Sequence, residues 1–261
     1  SQGGPTLADR DNYLQTDSRS NTIRSAYITY VRTLFQLTGS DEAKAAQQAT
    51  KLMRIETSLA EIQMGRVEMR DPYKTYNKFT VADLNKLTPK INWSKLLPLY
   101  NISNTGDSLL VNSPKFFSGL NNLLGQLDVE DWKTYLKWNV LKNAAPNLSS
   151  EFVDATFSYD RVVTGQKVQT PRWQRMSSLT DRTLGDLLGQ LYVAEYFKPA
   201  SKARMDEMIK NLKKAFEIRI NGLEWMSPAT KIQALAKLGT FRPKVGYTEN
   251  WRNYEGLEIK P

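Results

Sequence analysis

Two pairs of acids are the first residues in this sequence with types and spacing suited to chemistry. Asp9 and Asp11 flank Arg10, and two carboxylates one residue apart can share a cation. The arginine between them, and the lack of partner carboxylates nearby, favour a loop or helix-start salt bridge over a metal site. Glu130 and Asp131 stand where a helix is predicted to begin, a position at which the helix dipole alone attracts acids. The 261 residues include no histidine and no cysteine. Without imidazole or thiolate there is no all-protein zinc site, no Ser-His-Asp triad and no side chain that ordinarily titrates near neutrality. What stays open is carboxylate, lysine or tyrosine chemistry, or magnesium or calcium held by oxygens. No active site is visible among these residues, and no catalytic residue, metal ligand or cofactor is assigned to them.

Arg172, Trp173 and Arg175 combine two cations with an indole and are the candidate substrate-binding residues, a corner able to hold a peptide. The competing reading is a buried tryptophan with its arginines snorkelling outward. Trp93, Trp132, Trp138, Trp173, Trp225 and Trp251 could line a ligand cavity, yet Trp132 and Leu136 lie four apart, the spacing of core packing on one helix. A net charge of +9 raises nucleic acid as a partner. The basic residues are interleaved with acids, as in Arg66-Val67-Glu68-Met69-Arg70-Asp71, and the lysines from Lys210 to Lys214 read as a solvated helix face, so no nucleic-acid partner is expected. Asn101-Ile102-Ser103 and Asn147-Leu148-Ser149 match glycosylation acceptors, a weak signal without a known compartment. No apolar run approaches the roughly 20 residues of a membrane span. The opening Ser1-Gln2-Gly3-Gly4 does not resemble a secretory signal.

The elements that must position these residues are mainly helices. Ile23, Ala26, Tyr27, Tyr30, Val31, Leu34 and Phe35 form an i, i+3, i+4, i+7 stripe, and Gly39 sits where a left-handed cap belongs. A second helix is predicted from Asp41, with Ala45, Ala49, Leu52, Met53, Leu59 and Ile62 on one face, running to Arg70-Asp71-Pro72. The few residues between the two imply an antiparallel pair. Thr80 with Asp83 resembles a capping box for a short helix closed by Pro89. Asn104-Thr105-Gly106-Asp107 is turn chemistry, and Leu109 to Val111 is the best candidate strand. Further helices are predicted from Ser113-Pro114, then over about 129–144, 150–163, 171–197, 201–220 and 228–238, with Gly222 and Gly239 as stops. Residues 240–246 read as extended around Pro243. Trp173, Met176, Leu179, Leu184, Leu187, Leu188 and Leu191 suggest one buried stripe, so Trp173 and Tyr192 are expected to be largely buried. The fold class is mainly α, with a few short strands.

The order of these segments adds a resemblance. Leu7-Ala8-Asp9-Arg10-Asp11-Asn12-Tyr13-Leu14 is similar to the Leu-Pro-Asp-Arg-Asp-Tyr-Tyr-Leu stretch of M13-type zinc metallopeptidases, the neprilysin-like family. Collinear stretches follow: Arg70-Asp71-Pro72 with Tyr76-Asn77-Lys78-Phe79-Thr80, Gln166 with Arg172-Trp173-Gln174-Arg175, and Gly189-Gln190-Leu191-Tyr192-Val193-Ala194-Glu195-Tyr196-Phe197. The last are Leu223-Glu224-Trp225-Met226-Ser227-Pro228-Ala229-Thr230-Lys231 and Lys244-Val245-Gly246-Tyr247, so the likeness runs from about Leu7 to Ile259.

The resemblance implies that residues 1–261 form the multi-helix, non-catalytic lobe of a two-lobed neprilysin-like peptidase. In that family a His-Glu-x-x-His helix and a later glutamate bind zinc, and the matching positions would lie downstream of Pro261. The implied partners are the catalytic domain of the same polypeptide and short peptide substrates, with zinc as the cofactor of the parent enzyme. The implied role is a lid that excludes folded proteins, and the face toward the catalytic lobe is expected to stay apolar and exposed. Vertebrate members carry a cysteine close after the Trp-x-Arg motif where this chain has Met176, which suggests a bacterial, disulfide-free version from the periplasm, envelope or medium, with the cytoplasm left open. The alternative is a free-standing helical binding or scaffold protein without catalysis.

Overall fold

A computed structural model describes residues 1–102 and 108–258. The turn expected at 104–107 and Ser103 of the first glycosylation acceptor lie outside the described residues. The chain divides into two compact units, Ser1–Gln169 and Thr170–Pro261. Helix dominates both.

In the first unit α1 (Asp11–Leu14) leads to α2 (Ser18–Leu37) and α3 (Glu42–Glu61). Asp17 and Asp41 cap the two long helices by accepting from Ser20 N and Lys44 N, which satisfies amides that have no partner inside a helix. Gly39, at φ +91°, makes the left-handed turn between them. After a 3₁₀ turn over Glu68–Arg70 come α4 (Pro72–Thr75), β1 (Lys78–Phe79), α5 (Val81–Leu87), α6 (Trp93–Leu99) and β2 (Leu109–Leu110). The strands pair antiparallel, Lys78 opposite Leu110 and Phe79 opposite Leu109. Three more helices, α7 (Pro114–Gln126), α8 (Val129–Ala144) and α9 (Ser150–Thr164), complete the unit. The predicted caps at Thr80 and Ser113 are in place, accepting from Asp83 N and Phe116 N.

The main core lies where α2 packs on α3 and α9, and α3 on α8. Tyr27, Val31, Leu34, Phe35, Leu52 and Trp138 are essentially removed from solvent there. A second cluster joins Ile55 and Leu59 of α3 to Phe116 and Leu123 of α7. Gly119 lets α7 approach α3, because a Cβ there would sit 2.6 Å from Ile62 Cγ2 and 2.9 Å from its Cβ. Gly119→Ala is accordingly expected to lose about 1–2 kcal/mol net, since so close an approach puts overpacking at about 2–3, against a helix-propensity gain of about 1. Chemical denaturation checks this, and a variant as stable as the parent would contradict the packing described.

The second unit consists of α10 (Arg172–Tyr196), α11 (Pro199–Asn221) and α12 (Pro228–Gly239), then an irregular tail. The tail recrosses the helices: Trp251 lies on Gly189 of α10, and Tyr247 meets Phe197 edge-on at 5.7 Å and Trp251 stacked at 6.2 Å.

Several expectations are corrected. α3 ends at Glu61 rather than at Arg70-Asp71-Pro72, and outside donors take the carbonyls just past its end, which a further helical turn would have used: Arg10 donates to Gln63 O and Gln2 to Met64 O. Gly222, at φ −80°, and Gly239, the last residue of α12, are not left-handed stops. The left-handed cap that was missed is Gly165, at φ +78°. α10 is not one smooth helix, since Leu184 ahead of Gly185 breaks it at φ −124°. Residues 241–246 are non-helical, in keeping with the extended reading, without pairing as a strand: Phe241 O and Val245 O accept from the lysine ammoniums of Lys213 and Lys202. Leu136 is 60% exposed, because the buried side of α8 runs through Asp131, Tyr135, Trp138 and Leu141 instead.

Candidate functional site

The most organised polar centre of the first unit is built around Glu56, which is fully buried on α3. Thr6 Oγ1 donates to Glu56 Oε1 at 2.7 Å, and Tyr13 and Tyr27 donate their phenol hydrogens to Oε2 at 2.8 and 2.7 Å. Thr6 Oγ1 also accepts from Trp138 Nε1 and from Lys142 Nζ, each at 3.0 Å. Tyr13 Oη accepts in turn from Leu7 N at 2.8 Å. Burial pushes the Glu56 carboxyl above its usual range, against the pull of the three hydroxyls and of Lys142. Burial likewise lifts the Tyr13 and Tyr27 phenols, with the Glu56 charge adding to it, and lowers the Lys142 ammonium. A carboxyl with no exposed surface meets no substrate. What this centre does is tie the segment before α1 to α1, α2, α3 and α8.

The sequence candidates fall elsewhere. Asp9 pairs with Arg66, and Asp11 takes Arg10 at 3.9 Å while its amide bonds Asp9 Oδ1 at 3.0 Å, so both acids serve loop salt bridges. Asp131 does more than answer the helix dipole. It is 3% exposed and is clamped by Lys51 at 2.7 Å and Arg54 at 2.8 Å, which hold its carboxyl below the usual range although burial works the other way. Among the described residues no group of three or more His, Cys, Asp or Glu is placed to hold a metal ion. No described helix is long and apolar enough to cross a membrane.

In the second unit no described residue is buried. Leu187, Leu188, Leu191 and Tyr192 make an apolar stripe along α10, and Leu212 and Phe216 continue one on α11, all at least 40% exposed. Trp173 is 68% and Tyr192 58% exposed, against the expectation that both are largely buried. The stripe was read correctly as apolar. Within the second unit it stays exposed.

The sequence model of peptidase family M13 matches residues 1–248. The chain belongs to peptidase family M13.

Endothelin-converting enzyme 1 of Homo sapiens and of Mus musculus are each 30% identical to this M13 chain over 251 residues, 94% of it and 32% of theirs. The crystal structure of Mycobacterium tuberculosis zinc metalloprotease Zmp1 in complex with inhibitor superposes with a TM-score of 0.86 at 32% identity, covering 99% of this chain and 39% of that one. The M13 chain thus spans about a third of the length of the curated relatives it matches.

Of the three candidate substrate-binding residues of the M13 chain, Arg172 and Trp173 are exposed in the first turn of α10. Arg175 is half-buried, with Nε donating to Thr170 O at 3.1 Å. Trp173 and Arg175, two positions apart, project to different sides of the helix. Sequence reasoning missed the Glu56 centre. Its signal was an acid four residues after Leu52 and three before Leu59, inside the apolar stripe of α3.

Proposed function

We propose that this chain is the helical lobe of a zinc metalloendopeptidase that cleaves short peptides, lying over a catalytic segment of the same polypeptide and restricting what reaches it. The exposed apolar stripe of α10, Leu187, Leu188, Leu191 and Tyr192, carries this reading, because monomeric proteins rarely leave a large contiguous apolar patch uncovered. Membership of family M13, a one-third share of the curated relatives' length, and a relative described as a zinc metalloprotease support it. The chain's own residues do not fit zinc: it has no histidine or cysteine, and its carboxylates suit magnesium or calcium better. Zinc would be held by the His-Glu-x-x-His segment the family resemblance implies, and would supply an activated water for peptide hydrolysis. This lobe contributes exclusion of larger substrates, with Arg172 and Trp173 as candidate peptide contacts. The Mycobacterium tuberculosis relative supports a bacterial version of the family, and a periplasmic, envelope or secreted setting is part of this proposal.

The test uses the polypeptide in which this chain precedes its zinc segment. One cleavage sequence is offered as a short peptide and again within a folded protein. The peptide should be cut in a chelator-sensitive manner and the folded protein left intact. Equal cleavage of both would overturn the gating role, and turnover unaffected by chelator would overturn the zinc peptidase reading.

A further inference from the structure

The segment ahead of α1 is held by many polar contacts and by one apolar anchor, Leu7, which sits in the main core. Gln2 bonds both ways with the Met64 backbone, Nε2 donating to Met64 O at 3.0 Å and Oε1 accepting from Met64 N at 2.8 Å. Gln63 Nε2 donates to Gly3 O at 3.1 Å, and Tyr135 Oη to Gly4 O at 2.8 Å. Leu7 N donates to Tyr13 Oη, and Arg66 donates to Ala8 O at 3.2 Å. Within residues 2–8 the buried side chain is Leu7. Gly4 keeps the segment close, since its φ is +106° and a Cβ there would meet Tyr135 Oη at 3.0 Å and Leu59 Cδ1 at 3.1 Å.

We propose that residues 2–8 are a strap with a docking equilibrium of its own, and that Thr6 on Glu56 is the lock that sets it. The strap belongs to no helix or strand, and its carbonyls and its Leu7 amide bond side chains of α1, α8 and the chain just after α3. It can therefore leave without breaking a helical hydrogen bond, and with Leu7 the one side chain it withdraws from the main core its opening costs less than unfolding the bundle. Thr6 is the costly point. Its hydroxyl uses its whole capacity, one donation to Glu56 and two acceptances from Trp138 and Lys142, so one side chain closes three bonds at a dry, charged centre. When the strap lifts, Glu56 Oε1, Lys142 and the Trp138 indole meet water, while Tyr13 and Tyr27 still hold Oε2. The device is a cover whose position decides whether the α3–α8 seam is sealed.

Hydrogen exchange read by mass spectrometry on the full chain tests this. The reporters are the Leu7 amide, bonded to Tyr13, and the Met64 amide, bonded to Gln2. In the unaltered chain both should exchange faster than the amides of Tyr27 and Val31 inside α2. Thr6→Val, which removes the hydroxyl but keeps the shape, and Gly4→Ala, which pushes the strap off Tyr135, should each speed both reporters about tenfold or more with α2 unchanged. The two variants act through different contacts, so failure of one to fold leaves the other decisive. Reporters as protected as in the parent would overturn the lock. Acceleration of α2 by the same factor would overturn the separate equilibrium.

Discussion

Trp138→Ala is expected to cost about 3–5 kcal/mol, the range for emptying a large aromatic site in a packed core. Trp138 has no exposed surface, and Tyr27 and Tyr30 stand edge-on to its ring at 5.7 and 5.4 Å. Its indole N–H ends on Thr6 Oγ1, so the substitution also strips a donor from the Glu56 centre. The cavity would open between α2, α3 and α8, which hold their positions through Leu34, Phe35 and Leu52 and cannot collapse around it. Trp173→Ala is the contrast. With that ring 68% exposed, the change should stay within about 0.5 kcal/mol in this chain. Denaturant midpoints of the two variants decide the matter, and equal losses would show that α10 is packed in a way the structure does not have.

The second large effect is at Glu56. Glu56→Ala should cost about 3–5 kcal/mol, because it leaves the hydroxyls of Thr6, Tyr13 and Tyr27 without an acceptor and the Lys142 ammonium without the charge opposite it. Combined with Tyr27→Phe the loss should be less than additive, since the phenol has by then nothing to donate to. Glu56→Gln removes the charge and turns one of the two acceptor oxygens into a donor. Burial raises the Glu56 carboxyl above its ordinary 4.5, so the folded chain holds that proton more tightly than the unfolded one. Its contribution is then fully present below about 4.5 and falls as the pH rises through the folded value. The groups facing it, Tyr13, Tyr27, Tyr135, Tyr159 and Lys142, titrate at higher pH. The stability difference between the parent and Glu56→Gln should therefore decline over that acid-to-neutral limb, while the raised Asp160 and the lowered Asp17, Asp83, Asp131 and Glu151 act alike in both chains. A difference that rises there would contradict the raised carboxyl.

What could be read from the sequence was whatever is decided locally. The caps at Asp41, Thr80 and Ser113 were legible because a side chain and an amide three residues on settle them, and α8 runs from Val129 to Ala144 as its pattern predicts. The end of α3 was not legible, because Gln2 and Arg10 reach it from about 50 to 60 residues away and replace the next helical turn. Glu56 was hidden for the same reason: three hydroxyls from distant segments make a buried acid tolerable. On α10 the apolar stripe was read correctly but its burial was not, since periodicity reports which face is apolar and not what covers it. The functional reading came from resemblance. The quoted segment Leu7–Leu14 supplies Leu7 and Tyr13 to the Glu56 centre, so part of the family likeness is a likeness of structural pins.

The central claim, a helical lobe that supplies no zinc ligand, is tested most directly by metal analysis of the purified chain after dialysis, paired with a peptide-hydrolysis assay. The account predicts no stoichiometric zinc and no turnover that a chelator can abolish, because zinc sites draw most of their roughly four ligands from His or Cys and this chain has neither. One zinc ion held per chain, or chelator-sensitive cleavage by the chain alone, would contradict it.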